Sequence, residues 1–183
     1  MARAEALACL SMQRNFHDND AMSGRKCSPC TACCDGWLAS KTIEMSPGRP
    51  CVHRKPQGCD IYCSRPQEPC RTFQCDWLKS GSKLPEDLRP DRCGAIVMSG
   101  KKFQGWNVII ATPTGWVIPP VTLERLRQYA RQQATPLIFI ENLHQDGVYT
   151  HFKRSGFGPL EFVQAITSSN GKLDLVKFYS LFD

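Results

Sequence analysis

Cys27, Cys30, Cys33 and Cys34 stand as Cys-x-x-Cys-x-x-Cys-Cys, the densest group of chemically active side chains in the chain. A spacing of three residues lets a loop turn successive sulfurs toward one centre. Thiolate is a soft, charged donor that suits zinc or an iron–sulfur cluster, whereas calcium and magnesium prefer oxygen. Cys33 and Cys34 are adjacent, and neighbouring side chains diverge. The pair is therefore expected to serve more than one centre, or a polynuclear one, rather than a single mononuclear ion.

Downstream follow Cys51, Cys59, Cys63, Cys70 and Cys75, more thiols than a single four-ligand site can use. Either there are two centres or some of these cysteines are spare. Three thiols at a repeated spacing also resemble the ligand run of bacterial ferredoxins, so iron–sulfur stays open beside zinc. Nine of the eleven cysteines fall between positions 27 and 75, and only Cys9 and Cys93 lie outside. Those two read as small buried hydrophobes. His53 follows Cys51 closely and could replace a thiol as an imidazole ligand; the simpler reading is an exposed loop histidine.

A disulfide framework would need an oxidising compartment. Met1 to Asp20 offers only short apolar pieces such as Ala8-Cys9-Leu10 before Arg14, His17 and Asp18. That is neither the continuous apolar stretch nor the cleavage site of a secretory signal. No segment is apolar for long enough to span a membrane. The expectation is a soluble, cytoplasmic protein with no membrane partner.

The 23 Lys and Arg against 17 acids give a formal charge of +6. Thiolates bound to metal would subtract from that excess, so it makes a weak case for a nucleic-acid partner. Arg125, Arg127 and Arg131 make one helix basic, which could contact phosphates, although a charged outer face is the usual meaning. Arg65 and Arg71 could bind an anion or donate to metal-bound sulfurs, and Tyr62, Phe73 and Trp77 could shield a centre from water. No catalytic triad, nucleophile elbow, phosphate loop or dinucleotide fingerprint is present. Whether the chain is an enzyme is left open, and any activity would have to use the centre.

The elements that must position these cysteines fall into three stretches. Residues 1–26 form an N-terminal segment with a short helix expected over Ala2 to Gln13. Residues 27–92 are rich in Pro, Gly and charge and poor in periodic apolar residues, so a conventional core is not expected there and metal would have to hold the module together. Residues 93–183 read as α+β. Strands are expected at Ala95 to Met98, Trp106 to Ala111 and Trp116 to Ile118. A helix is expected from Thr122, as N-cap, to Gln133, with Leu123, Leu126, Tyr129 and Ala130 on its apolar face. A hairpin should join Leu137 to Ile140 with Val148 to Phe152 around Asp146-Gly147, and a last helix should use Phe162, Val163 and Ile166. The fold class is thus α+β: a small irregular cysteine-rich, metal-bound module packed on a small mixed sheet with two or three helices.

The cysteine segment resembles the YkgJ-type cysteine-cluster family of zinc- or iron-chelating domains. The match rests on Cys27 to Cys34, then Gly58-Cys59-Asp60-Ile61-Tyr62, Arg65-Pro66, Cys70-Arg71-Thr72-Phe73-Gln74-Cys75 and Trp77-Leu78. It covers about residues 27 to 78 and reaches toward Leu88-Arg89-Pro90. Two features depart from the pattern: Cys63 is an extra thiol, and three residues rather than two separate Pro66 from Cys70. The resemblance implies zinc or iron, possible as an iron–sulfur cluster, held by Cys27, Cys30, Cys33, Cys34, Cys51, Cys59, Cys70 and Cys75 in a cytoplasmic bacterial protein. The first expectation is therefore a metal-binding protein. The alternatives are an iron–sulfur redox or modifying enzyme, suggested by a similar cluster in flagellin lysine methylases, and a zinc-ribbon-like nucleic-acid binder.

Overall fold

A segment dominated by Pro, Gly and charge cannot sustain long regular elements, and between Lys26 and Cys93 it forms none. The computed structural model describes residues 25–169 apart from Ser28 and Gln57, so the helix expected over Ala2 to Gln13 lies outside the described residues, as does Cys9. The module consists of turns, a two-residue hairpin and one short helix. Strands β1 (Arg54–Lys55) and β2 (Gly58–Cys59) pair antiparallel with Arg54 opposite Cys59. Helical turns follow at Tyr62–Ser64, Gln67–Arg71 and Glu86–Leu88, and α1 (Pro90–Cys93) ends on Gly94 in the left-handed conformation. Proline at the start of α1 is favourable because the first helical N–H has no intrahelical partner in any case.

From Ala95 the chain becomes apolar and β-branched, and a four-stranded sheet forms in the order β3-β4-β5-β6. Its strands are β3 (Ala95–Phe103), β4 (Trp106–Pro113), β5 (Leu137–Gln145) and β6 (Val148–Phe157). Two hairpins make its halves. Asp146-Gly147 closes β5 onto β6 between the paired residues Gln145 and Val148, with φ of 52° and 76°. Gln104-Gly105 does the same for β3 and β4, with φ of 45° and 87°. Two successive left-handed residues match the strand twist, and glycine takes the second without steric cost. Strands β4 and β5 are parallel, so the chain must cross over between them, and α2 (Pro120–Gln132) provides the connection.

Alternation along the strands splits the core in two. Ile109 and Ala111 of β4 pack with Leu126, Tyr129 and Ala130 of α2 and with Leu84, Leu88 and Cys75 of the module. Val108 and Ile110 belong to a second cluster with Ile138, Ile140, Phe152 and the buried Phe162 and Ile166 of α3 (Leu160–Ser168). The cysteine module thus shares its core with the sheet and α2. Among the described residues the α+β expectation is met, with a mixed sheet, two longer helices and one short one.

Two local expectations are corrected. Trp116 to Ile118 does not form a strand; these residues bend toward Pro119-Pro120. The Trp116 carbonyl accepts the Asn142 amide at 2.7 Å, and the Asn142 side chain donates to Gly115 O at 3.1 Å. Two bonds to one residue tether the loop without building a ladder. Thr122 is not the N-cap either: α2 begins at Pro120 with Pro119 as cap, and buried Thr122 Oγ1 donates to Cys93 O at 2.6 Å. Among the described residues, no helix is long and apolar enough to cross a membrane.

Candidate metal centre

Backbone hydrogen bonds place the cysteines before their side chains do anything. The Cys30 amide donates to Cys27 O at 2.8 Å and the Cys34 amide to Thr31 O at 2.7 Å, folding the Cys-x-x-Cys-x-x-Cys-Cys run into consecutive turns. The Cys51 amide then donates to Cys34 O at 3.0 Å. Gly36 makes this approach possible: its φ is +81°, and a Cβ there would stand 2.5 Å from the Arg49 carbonyl carbon. The Arg54 amide donates to Cys51 O, and β1–β2 pairing sets Cys59 opposite Arg54. Cys34, Cys51 and Cys59 are therefore gathered by main chain alone. Cys75 is fixed differently, because the next amide, that of Asp76, donates to Val97 O of β3 at 2.8 Å.

The thiols then sort by neighbour. Burial pushes Cys33 well up, and the thiols that raise it further are Cys75, Cys27 and Cys30, with its chain neighbour Cys34 last. Cys34 is pushed up to about 12 by burial, then by Cys51, Cys59 and Cys70, with Cys27 last. Cys27 rises to about 11 through desolvation of its sulfur first, although the whole residue is exposed, and then through Cys30 and Cys75. Cys70 is raised by burial and then by Cys51 and Cys59. Cys33 and Cys34 thus face largely different companions, as divergence of adjacent side chains requires.

Two arginines bring positive charge to these sulfurs. Arg65 stacks its guanidinium 3.6 Å from the Tyr62 ring centroid, and its charge favours the thiolates of Cys27, Cys59 and Cys70. Arg89 is buried, with its guanidinium 5.2 Å from the Trp77 ring centroid, and favours the thiolates of Cys27 and Cys30. Its Nε lies 2.9 Å from Asp91 Oδ1, but off line, so that Nε and Nη2 have no hydrogen-bond partner. Arg25 covers Trp77 as well, 5.0 Å from the ring centroid, and donates to Trp77 O and Leu84 O. The sequence contained no signal for Arg25, and for Arg89 only the reach of the motif resemblance toward Leu88-Arg89-Pro90. Arg71, by contrast, donates to the carbonyls of Cys63 and Arg65 and so positions the Arg65 backbone.

The donor set fits a thiophilic metal in kind. Thiols near enough to raise one another would repel as thiolates, and a bound cation would offset that repulsion. The orphaned N–H groups of Arg89 are suited to a neighbour that carries net negative charge, as a tetrathiolate metal site does. Among the described residues, no three His, Cys, Asp or Glu groups converge tightly enough to hold an ion as they stand. Metal would have to close the set, as it does in small modules whose sites form on binding.

Other candidates lie apart. His53 Nδ1 sits 3.2 Å from Asp60 Oδ1, so the ring faces this carboxylate. Cys63 is exposed and does not belong to the free-thiol group. Cys93 is buried and donates its thiol to Ala95 O at 3.3 Å, so it packs as the small hydrophobe expected. Trp77 is buried in the shared core and Phe73 is partly buried against it, so packing accounts for both. Arg125 pairs with Asp87, while Arg127 and Arg131 pair with Glu124 and lie over Phe157.

Compared with protein-family models, with curated proteins and with solved structures, the chain finds no match in any of the three. The functional reading rests on the residues themselves.

Proposed function

We propose that this protein binds zinc or iron through the thiolates of Cys27, Cys30, Cys33, Cys34, Cys51, Cys59, Cys70 and Cys75, as its motif resemblance implies. The observation that carries this reading is the folding of Cys27 to Cys34 into consecutive turns tied by hydrogen bond to Cys51, with thiols near enough to raise one another and with Arg65 and the buried Arg89 guanidinium beside them. A metal here would offset part of the thiolates' charge and tie the turns of residues 27–75 to one another, supplying folding free energy that the short elements lack. Arg65 and Arg89 would hold the resulting negative charge, and Tyr62 and Trp77 would keep their guanidinium groups in place.

The test is elemental analysis of protein purified anaerobically with its thiols intact. At least about one equivalent of zinc or iron is expected, and less than about a tenth of an equivalent would overturn the reading. A visible absorption band that bleaches on reduction would assign the metal to an iron–sulfur cluster; a colourless preparation holding only zinc would assign it to zinc.

A further inference from the structure

We propose that the eight cysteines form two separate four-thiolate centres, one built from Cys27, Cys30, Cys33 and Cys75 and the other from Cys34, Cys51, Cys59 and Cys70. This deepens the metal-binding reading and rests on it.

Main-chain geometry separates Cys34, Cys51 and Cys59 from Cys27 and Cys30, and the thiols that each sulfur faces add Cys33 and Cys75 to one set and Cys70 to the other. Cys34, Cys51 and Cys59 are joined by the Cys51–Cys34 hydrogen bond and by the β1–β2 hairpin, within the module. Cys27 and Cys30 share a turn, and Cys75 is anchored to the edge of the sheet through Asp76 and Val97. The Cys33–Cys34 peptide is the boundary, with one sulfur delivered to each side. The partition uses every cluster cysteine among the free thiols and gives each centre the four donors of a tetrahedral thiolate site.

The decisive experiment titrates the reduced, metal-stripped full chain with Zn²⁺ under anaerobic conditions, alkylates the free thiols and locates the protected cysteines by peptide mass spectrometry. About two equivalents of Zn²⁺ should bind, with all eight cysteines protected at saturation. At half loading, protection should appear in one complete set of four or the other. Cys59→Ser should retain about one equivalent, with Cys27, Cys30, Cys33 and Cys75 protected. Saturation at about one equivalent, or protection of Cys33 and Cys34 together in a half-loaded molecule, would overturn the partition and leave metal binding intact. Absence of any bound Zn²⁺ would overturn the partition into four-thiolate centres, while the metal content of the anaerobically purified protein decides the metal-binding reading separately. Because the mapping is read on the unmutated chain, a Cys59→Ser protein that fails to fold does not prevent the decision.

Discussion

The Cys51 amide donates to the Cys34 carbonyl across 3.0 Å, joining two cysteines that lie far apart in sequence. Gly36 permits that bond. Gly36→Ala would force a left-handed φ on a residue with a Cβ and drive that Cβ into the Arg49–Pro50 backbone. It should destabilise the protein by about 3 kcal/mol, read by chemical denaturation. A variant as stable as the parent would mean that the two segments can part at little cost.

Arg65 faces thiols of both groups while stacked on Tyr62. Arg65→Met should weaken metal retention about tenfold in competition with a chromogenic chelator, and Arg65→Lys should restore part of the loss by returning the charge. Equal retention by all three proteins would reduce Arg65 to a surface stack.

Cys93 provides a pH readout away from the cluster. Burial, then the weaker effect of Asp87 and Asp91, pushes its thiol up to about 11, against the opposing effect of nearby backbone N–H groups. The folded chain keeps this proton while the unfolded chain loses it, so the contribution to stability is present below about pH 9 and falls away as pH rises toward about 11. At pH 8, alkylation of Cys93 should be at least about a hundredfold slower in the folded protein than in urea, measured by mass spectrometry. Comparable rates would show that the thiol opens to solvent.

The basic face of α2 is largely committed. Arg125 Nη2 reaches Asp87 Oδ2 at 2.8 Å, both side chains being about half exposed. Arg125→Ala should cost less than about 1 kcal/mol by thermal denaturation, as exposed ion pairs do. The wild-type protein should show no steep salt-dependent association with DNA; tight low-salt binding lost on replacing Arg125, Arg127 and Arg131 would revive the nucleic-acid reading.

Phe162 is fully buried, with edge contacts to Phe103 at 6.4 Å and Trp106 at 5.7 Å between ring centroids. Phe162→Ala should cost about 3–5 kcal/mol in urea unfolding. It belongs to the cluster that α3 makes with the sheet, which the module meets through Ala39 and Phe73 rather than through its cysteines, so folded variant protein should keep its full metal content. Selective metal loss would show that the two cores are coupled.

Much of the sheet was legible because its signals are local. Asp146-Gly147 must turn, residues 137–140 and 148–152 must extend, and Leu126, Tyr129 and Ala130 must share one helix face whatever surrounds them. The start of α2 was misplaced because Thr122 makes its bond to Cys93 across the fold rather than to its own helix. Trp116 to Ile118 misled because strand-like residues need a neighbouring strand with which to exchange a ladder, and here only Asn142 answers.

The sequence by itself determined the donor chemistry, since residue type makes a thiolate soft, and it required that Cys33 and Cys34 diverge, since consecutive side chains cannot share one direction. Only the tertiary structure decided which thiols each of them meets. It also brought Arg89 into the core beside Cys27 and Cys30. Those relationships depend on the Gly36 approach, the β1–β2 hairpin and the sheet edge at Val97, contacts between segments whose separation along the chain carries no record of their meeting.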